Sequence, residues 1–124
     1  MMTKTPSMTR CNPGDVVLVR FPFTDLSSAK QRPAVVISPA GFTTRFGDVV
    51  VVAVTSRQQA DPELALREWK AAGLVKPTWF KPLIATLSSS IIVHRLGALT
   101  PPDQQRLARV LDLLIDDSIR ASGR

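Results

Sequence analysis

The chain has 124 residues, of which 44% are hydrophobic and 21% charged, with a single cysteine and a single histidine. This size and composition predict one globular domain, and one cysteine excludes an internal disulfide and a thiolate metal cluster. The formal net charge of +6 indicates either a polyanionic partner or a solvated basic surface.

Residues 1–12 show no hydrophobic periodicity, so we expect a flexible leader, one domain over residues 13–119 and a frayed C-terminus over residues 120–124. No apolar run follows the basic residues of the leader, which argues against a signal peptide. The valine-rich run at 49–54 is too short to cross a membrane. We therefore expect a cytoplasmic protein without membrane contact. With one histidine and no local cluster of carboxylates, we predict neither a metal site nor a cofactor.

The first predicted strand covers residues 16–21 and follows a turn at residues 13–15. The polar connection at 22–31 is longer than a tight hairpin needs, and long loops on rigid scaffolds often carry binding residues. Its Asp25 and Lys30 are therefore candidates for nucleotide contacts, or else ordinary charges of an exposed loop.

Arg32 stands where this loop enters the second predicted strand, at residues 34–38. Pro33 favours extended backbone at the residue before it, so we expect the arginine to be held in place. Such an arginine either pairs with a carboxylate of the protein or presents its planar guanidinium to a phosphate or carboxylate ligand.

A loop at 41–47 precedes the third predicted strand, at residues 48–54, and its Phe46 either caps the core or stacks on a base. The strand ends at Thr55, Ser56 and Arg57. Hydroxyls at a strand end commonly bond the backbone, and here they also form a candidate ligand site beside a guanidinium.

The stretch between Glu68 and Asp103 contains no acidic residue. Its basic residues are Lys70, Lys76, Lys81, His94 and Arg95. We predict one helical turn at 67–73 and short strands at 84–87 and 91–93, joined by a serine turn. A histidine such as His94 serves either in acid–base chemistry or on a surface or interface.

Thr100, followed by two prolines and Asp103, predicts the start of the one long helix. Apolar residues at helical spacing form a stripe that we expect to pack on the sheet. The stripe consists of Leu107, Val110, Leu111, Leu114 and Ile115. The whole pattern predicts a mainly β protein, a small antiparallel sheet curled into a barrel, with one long C-terminal helix.

Three segments in this order, GDVVLV at 14–19, RPAVVISP at 32–39 and VVAVTS at 51–56, make the chain resemble the MazF/PemK toxin endoribonucleases. The resemblance covers roughly residues 13–116. It implies an SH3-like barrel of the CcdB/MazF type that works as a homodimer, with single-stranded mRNA crossing the groove between the subunits. It also implies an antitoxin partner with an acidic, apolar tail.

The implied reaction is a metal-independent, sequence-selective RNA cleavage, in which the ribose 2′-hydroxyl attacks the adjacent phosphate. The products carry 2′,3′-cyclic phosphate and 5′-hydroxyl ends. Carried onto this sequence, the catalytic residues are Arg32, Thr55 and Ser56. The RNA-binding residues are Asp25, Lys30, Gln31, Arg57, Lys76 and Lys81.

Acidic residues that some family members carry after the lysine–proline pair are absent here, at Leu83 and at residues 85–88. Two alternatives therefore stay open. One is a non-enzymatic toxin that binds DNA gyrase as CcdB does, although residues 118–120 do not resemble the Trp-Gly-Ile ending of those toxins. The other is a degenerate family member that has lost its activity.

Overall fold

The structure, a computed structural model, describes residues 11–21 and 30–115. Asp25, residues 1–10 of the predicted leader and residues 116–124 lie outside the described residues. Within them, the strands and helices in chain order are β1 Asp15–Phe21, β2 Lys30–Val36, α1 Ala40–Phe46, β3 Asp48–Thr55, β4 Trp79–Ser88, β5 Ile92–Ala98 and α2 Pro101–Leu114. Short 3₁₀ turns cover Pro62–Leu64 and Ser89–Ile91.

The five strands form one antiparallel sheet in the order β4-β3-β2-β1-β5. The predicted antiparallel, mainly β fold with a long C-terminal helix is thus confirmed. The predicted barrel closure is wrong, because β4 and β5 are the edge strands and no ladder joins them in the described part of the chain. The 3₁₀ turn between them directs β5 onto β1 instead of back along β4.

The three central strands β1, β2 and β3 supply buried residues to two core clusters, which explains the valine runs of β1 and β3. In β3, Val52 and Val54 belong to a cluster that α2 covers, whereas Val49 and Val51 belong to a second cluster. Among the described residues, the second cluster contains sheet residues, Cys11 and Ile91, but no residue of either helix. The sheet therefore curls so that this face packs on itself, without closing its hydrogen-bond ladder.

The two helices correct the prediction in detail. The expected loop at 41–47 is α1, which ends at Gly47 in a left-handed conformation with φ of 74°. In α2, Leu107 and Val110 are buried, but Leu114 and Ile115 are 36% and 41% exposed, so the apolar stripe packs only over its first part. The predicted strand at 84–87 is part of the longer β4, and the predicted strand at 91–93 begins in the 3₁₀ turn at Ile91 and continues into β5. No described helix has the length and apolar content needed to span a bilayer.

Candidate active site

Arg32 and Thr55 lie at the same end of two neighbouring strands. In the antiparallel pair of β2 and β3, Ala34 stands opposite Ala53 and Val36 opposite Val51. The ladder ends at Ala34 and Ala53, two residues from Arg32 on β2 and two residues from Thr55 on β3. Both residues therefore lie just beyond the paired region at the same end of the two strands, and both line one cleft.

A cleft of about 200 Å³ opens at this end of the sheet. Three segments line it, namely the start of β2, the end of β3 and the irregular segment 74–78 that leads into β4. The lining residues are Gln31, Arg32, Pro33, Val54, Thr55, Ser56, Leu74, Val75, Lys76 and Thr78. The cleft thus brings together all three predicted catalytic residues and two of the predicted RNA-binding residues, Gln31 and Lys76.

The Arg32 side chain is exposed at the cleft. Ion pairs elsewhere join Arg95 to Asp15 at 3.2 Å and Arg109 to Glu63 at 3.3 Å. No carboxylate in residues 11–21 or 30–115 pairs with Arg32. The structural ion pair considered for this arginine therefore has no partner in the described chain, and the donors of this exposed guanidinium are available to an anion.

Thr55 makes the backbone bond that strand-end hydroxyls commonly make. Its Oγ1 accepts a hydrogen bond from the backbone N–H of Arg57 at 3.1 Å. A hydroxyl that accepts one hydrogen bond still has its own proton to donate. Thr55 can therefore hold the turn and donate to a ligand oxygen at the same time, with the exposed Ser56 hydroxyl beside it.

Segment 74–78 is a fixed wall of the cleft. The backbone N–H of Leu74 donates to the carbonyl of Trp69 at 3.0 Å, and the Leu74 side chain belongs to the core. The hydroxyl of Thr78 donates to the carbonyl of Lys76 at 2.8 Å, while the Thr78 carbonyl accepts from the N–H of Leu66 at 2.9 Å. The backbone on both sides of Lys76 is therefore fixed by hydrogen bonds.

Of the remaining predicted residues, those that the structure describes are not part of the cleft lining. Lys30 begins β2 opposite Phe21, and Arg57 directly follows the lining residue Ser56. Lys81 is exposed on β4, two residues after Trp79, the partner of Thr55. His94 is also exposed and sits on β5, which β1 separates from β2, so the structure does not bring it to the cleft.

The sequence did not single out the apolar part of this cleft as a site. No pattern in the sequence marks Leu74, Val75 and Thr78 as cleft residues, and the structure places them in the irregular wall before β4. Two signals of irregular backbone were available, because Gly73 and Pro77 bracket the segment and both residues interrupt regular structure.

Among the described residues, the lining carries two cationic side chains, Arg32 and Lys76, and no acidic one. These lining residues also include no histidine, cysteine or tyrosine. In the described residues, no group of three or more histidine, cysteine, aspartate and glutamate side chains is placed to hold a metal. The arrangement suits binding an anion and stabilising additional negative charge on it by fixed hydrogen-bond donors.

Comparison with known proteins points to one family. The family model described as the PemK-like, MazF-like toxin of type II toxin–antitoxin system matches residues 12–115. No curated protein matches the chain in sequence.

Solved structures share the fold. An endoribonuclease from Mycobacterial species in complex with its cognate antitoxin is 18% identical, with a TM-score of 0.68 over 84% of this chain and 93% of that one. MazF from Deinococcus radiodurans is 26% identical, with a TM-score of 0.64 over 85% and 93% of the two chains. The Mycobacterium tuberculosis toxin MazF-mt6 is 14% identical, with a TM-score of 0.66 over 81% and 94%.

Proposed function

The chain belongs to the PemK-like, MazF-like toxins of type II toxin–antitoxin systems, and from this premise we propose that it is a sequence-selective endoribonuclease acting on single-stranded mRNA. The observation that supports this most is the cleft shared by Arg32 and the hydroxyl of Thr55, whose described lining residues include no acidic side chain. Similar structures that are themselves endoribonucleases add to the proposal.

In the proposed reaction, the ribose 2′-hydroxyl attacks the adjacent phosphorus and the bond to the 5′-oxygen breaks. The crowded intermediate carries more negative charge than the bound RNA, so donors that tighten onto it accelerate the reaction. Arg32 contacts two phosphoryl oxygens through its planar guanidinium, and Thr55 donates a third hydrogen bond, with Ser56 assisting. The products carry 2′,3′-cyclic phosphate and 5′-hydroxyl ends.

Proton transfer in this scheme runs through solvent. The guanidinium of an arginine is a poor general base. Water takes the proton of the 2′-hydroxyl and supplies one to the departing 5′-oxygen. The side chains contribute charge and alignment, and no step requires a metal.

The rest of the RNA follows the basic surface around the cleft. Gln31 and Lys76 contact the nucleotides nearest to the scissile phosphate, and the outer contacts are assigned to Asp25, Lys30, Arg57 and Lys81. We further propose that the protein acts as a homodimer and that a cognate antitoxin blocks the cleft with an acidic, apolar segment. A similar endoribonuclease has been solved with its cognate antitoxin, and the basic and apolar lining suits such a segment.

The test is cleavage of mixed-sequence RNA by purified protein in the presence of EDTA, with the new ends identified chemically. We expect discrete cuts with cyclic-phosphate ends, and a loss of about a hundredfold or more in rate on Arg32→Ala. Arg45→Ala is the matched control, because Arg45 is exposed beside Phe46 and does not line the cleft. Intact RNA at micromolar protein refutes the proposal, and inhibition of gyrase supercoiling by the same preparation supports the CcdB-like alternative.

A further inference from the structure

Val75 is the most exposed large apolar side chain in the described residues, at 88% of its full accessibility. It is not on a helix face or a strand edge but at the mouth of the cleft, next to Lys76. An apolar side chain placed this far into water, on a wall beside an anion-binding arginine, is not explained by the packing of the protein itself.

The backbone that carries Val75 is held from several sides. Gly73 has φ of +91°, and a Cβ atom there would overlap the carbonyl oxygen of Leu96 in β5. Leu74 is anchored in the core, and the Thr78 hydroxyl holds the carbonyl of Lys76. Val75 is therefore presented by a preorganised loop, and a ligand that packs against it need not order that loop first.

We propose that Val75 packs against the nucleobase next to the scissile phosphate and is a specificity-determining residue of the cleft. This inference rests on the proposed ribonuclease function. It adds that the Val75 side chain helps to discriminate between bases at one position of the RNA. Single-stranded RNA is recognised through bases splayed out of the stack, whose faces need an apolar surface and whose edges need hydrogen bonds.

The composition of the cleft fits a nucleotide better than a peptide. The lining combines apolar side chains, those of Val75, Leu74 and Pro33, with hydrogen-bond donors of Arg32 and Thr55 for the phosphate. The amide of Gln31 offers both a donor and an acceptor to a base edge, as amide side chains do with adenine. A volume of about 200 Å³ has room for a single base.

The first experiment measures selectivity. RNA oligonucleotides that differ in the base at one position beside the cut are compared for kcat/KM on the wild type, Val75→Ala and Val93→Ala. Val93 is 38% exposed on β5 and does not line the cleft, so its truncation is the matched control. We expect Val75→Ala to lower the discrimination at that one position by roughly three- to tenfold, the effect of losing methyl contacts in an apolar subsite.

The second experiment does not require cleavage. The methyl resonances of Val75 and Val93 are followed by NMR while a mixed-sequence single-stranded DNA oligonucleotide, which lacks the attacking 2′-hydroxyl, is added. Shifts at Val75 without shifts at Val93 support the base contact. Unchanged Val75 methyls together with an unchanged cleavage pattern of Val75→Ala overturn it.

The two proposals fail in different ways. If the wild-type protein leaves RNA intact, the nuclease proposal is refuted. If the Val75 methyl resonances still shift when DNA is added to that protein, the proposed contact between Val75 and a base is still supported. A Val75→Ala variant that cleaves with wild-type selectivity but loses affinity for an antitoxin refutes the base contact and assigns the side chain to a protein partner.

Discussion

The Oγ1 atom of Thr55 accepts a hydrogen bond from the backbone N–H of Arg57 at 3.1 Å. This bond closes the turn at which β3 leaves the sheet, and it fixes the hydroxyl at the cleft that Arg32 also lines. Because the oxygen is engaged as an acceptor, the orientation of its remaining O–H is restricted before any ligand arrives. A structural contact at the strand end thus aligns a donor in the proposed site.

We expect Thr55→Val to reduce RNA cleavage by about 10²- to 10³-fold, the usual effect of removing one donor to a developing negative charge. Valine keeps the shape of threonine but loses both the bond to Arg57 and the donated proton. Thr55→Ser keeps the hydroxyl and should retain most of the rate. Thr86→Val, on an exposed residue of β4 outside the cleft, is the control and should cleave at the wild-type rate.

Lys76 should contribute to RNA binding through its charge. We expect Lys76→Ala to weaken binding of a non-cleavable single-stranded DNA and to lower the slope of log K against log salt by roughly 0.7, the value for one phosphate contact. Lys70→Ala is the comparison, since the Lys70 ammonium lies 5.7 Å from the centroid of the Trp69 ring and not in the cleft. If the slope of log K against log salt is the same for the wild type and Lys76→Ala, Lys76 does not contact a phosphate of the nucleic acid.

The strands could be predicted because each carries its own signal. The valine runs of β1 and β3 are buried on both faces. A strand that is buried in this way appears in the sequence as a short continuous run of apolar residues. That Arg32 and Thr55 belong to one site was predicted from the resemblance of RPAVVISP and VVAVTS to the family motifs, not from hydrophobic periodicity.

The wall of the cleft could not be predicted, because long-range contacts determine it. The position of segment 74–78 depends on Gly73 meeting the backbone of β5 more than twenty residues later in the chain, at Leu96 and Gly97. Nor does the sequence around Cys11 show that this side chain is fully buried, since it precedes the first periodic segment. The short helix α1 contains glycine and two threonines, which are weak helix formers.

Asp103 should be the most sensitive acidic residue for stability. It is fully buried at the start of α2, and its two carboxylate oxygens accept hydrogen bonds from the backbone N–H groups of Arg67 and Glu68, both at 2.8 Å. Asp103→Ala leaves two backbone donors without their partner, so we expect a loss of about 2–4 kcal/mol in the free energy of unfolding.

Asp103→Asn separates charge from hydrogen bonding, because it keeps one acceptor oxygen; we expect an intermediate loss. Gln105→Ala, on the exposed side of the same helix, should change the free energy of unfolding by less than about 0.5 kcal/mol. The measurement is denaturant unfolding of the three variants. A stable Asp103→Ala would show that the segment at 67–68 is held by other contacts.

The thiol of Cys11 should react slowly with alkylating reagents in the native protein. Burial raises the pKa of its thiol above the ordinary value, and the charge of Asp15 adds to the rise. At pH 8 we expect alkylation of the native protein to be at least about tenfold slower than in concentrated guanidinium chloride, because the thiolate is the reactive form. The stability gained from keeping this thiol neutral is complete below its ordinary pKa and is lost as the pH rises through the higher folded pKa. Fast native labelling would contradict the burial.

The contact between Gly73 and β5 gives a test of the cleft wall as a whole. A Cβ at Gly73 meets the carbonyl of Leu96, and φ of +91° is itself unfavourable for alanine. We expect Gly73→Ala to lower the free energy of unfolding by at least about 2 kcal/mol. Because the strain falls directly before Leu74, RNA cleavage should also drop at temperatures where the variant remains folded.

Gly41→Ala is the control, since Gly41 has open space around it in α1, and alanine there favours the helix. If Gly73→Ala is destabilised but cleaves normally, the wall does not position RNA.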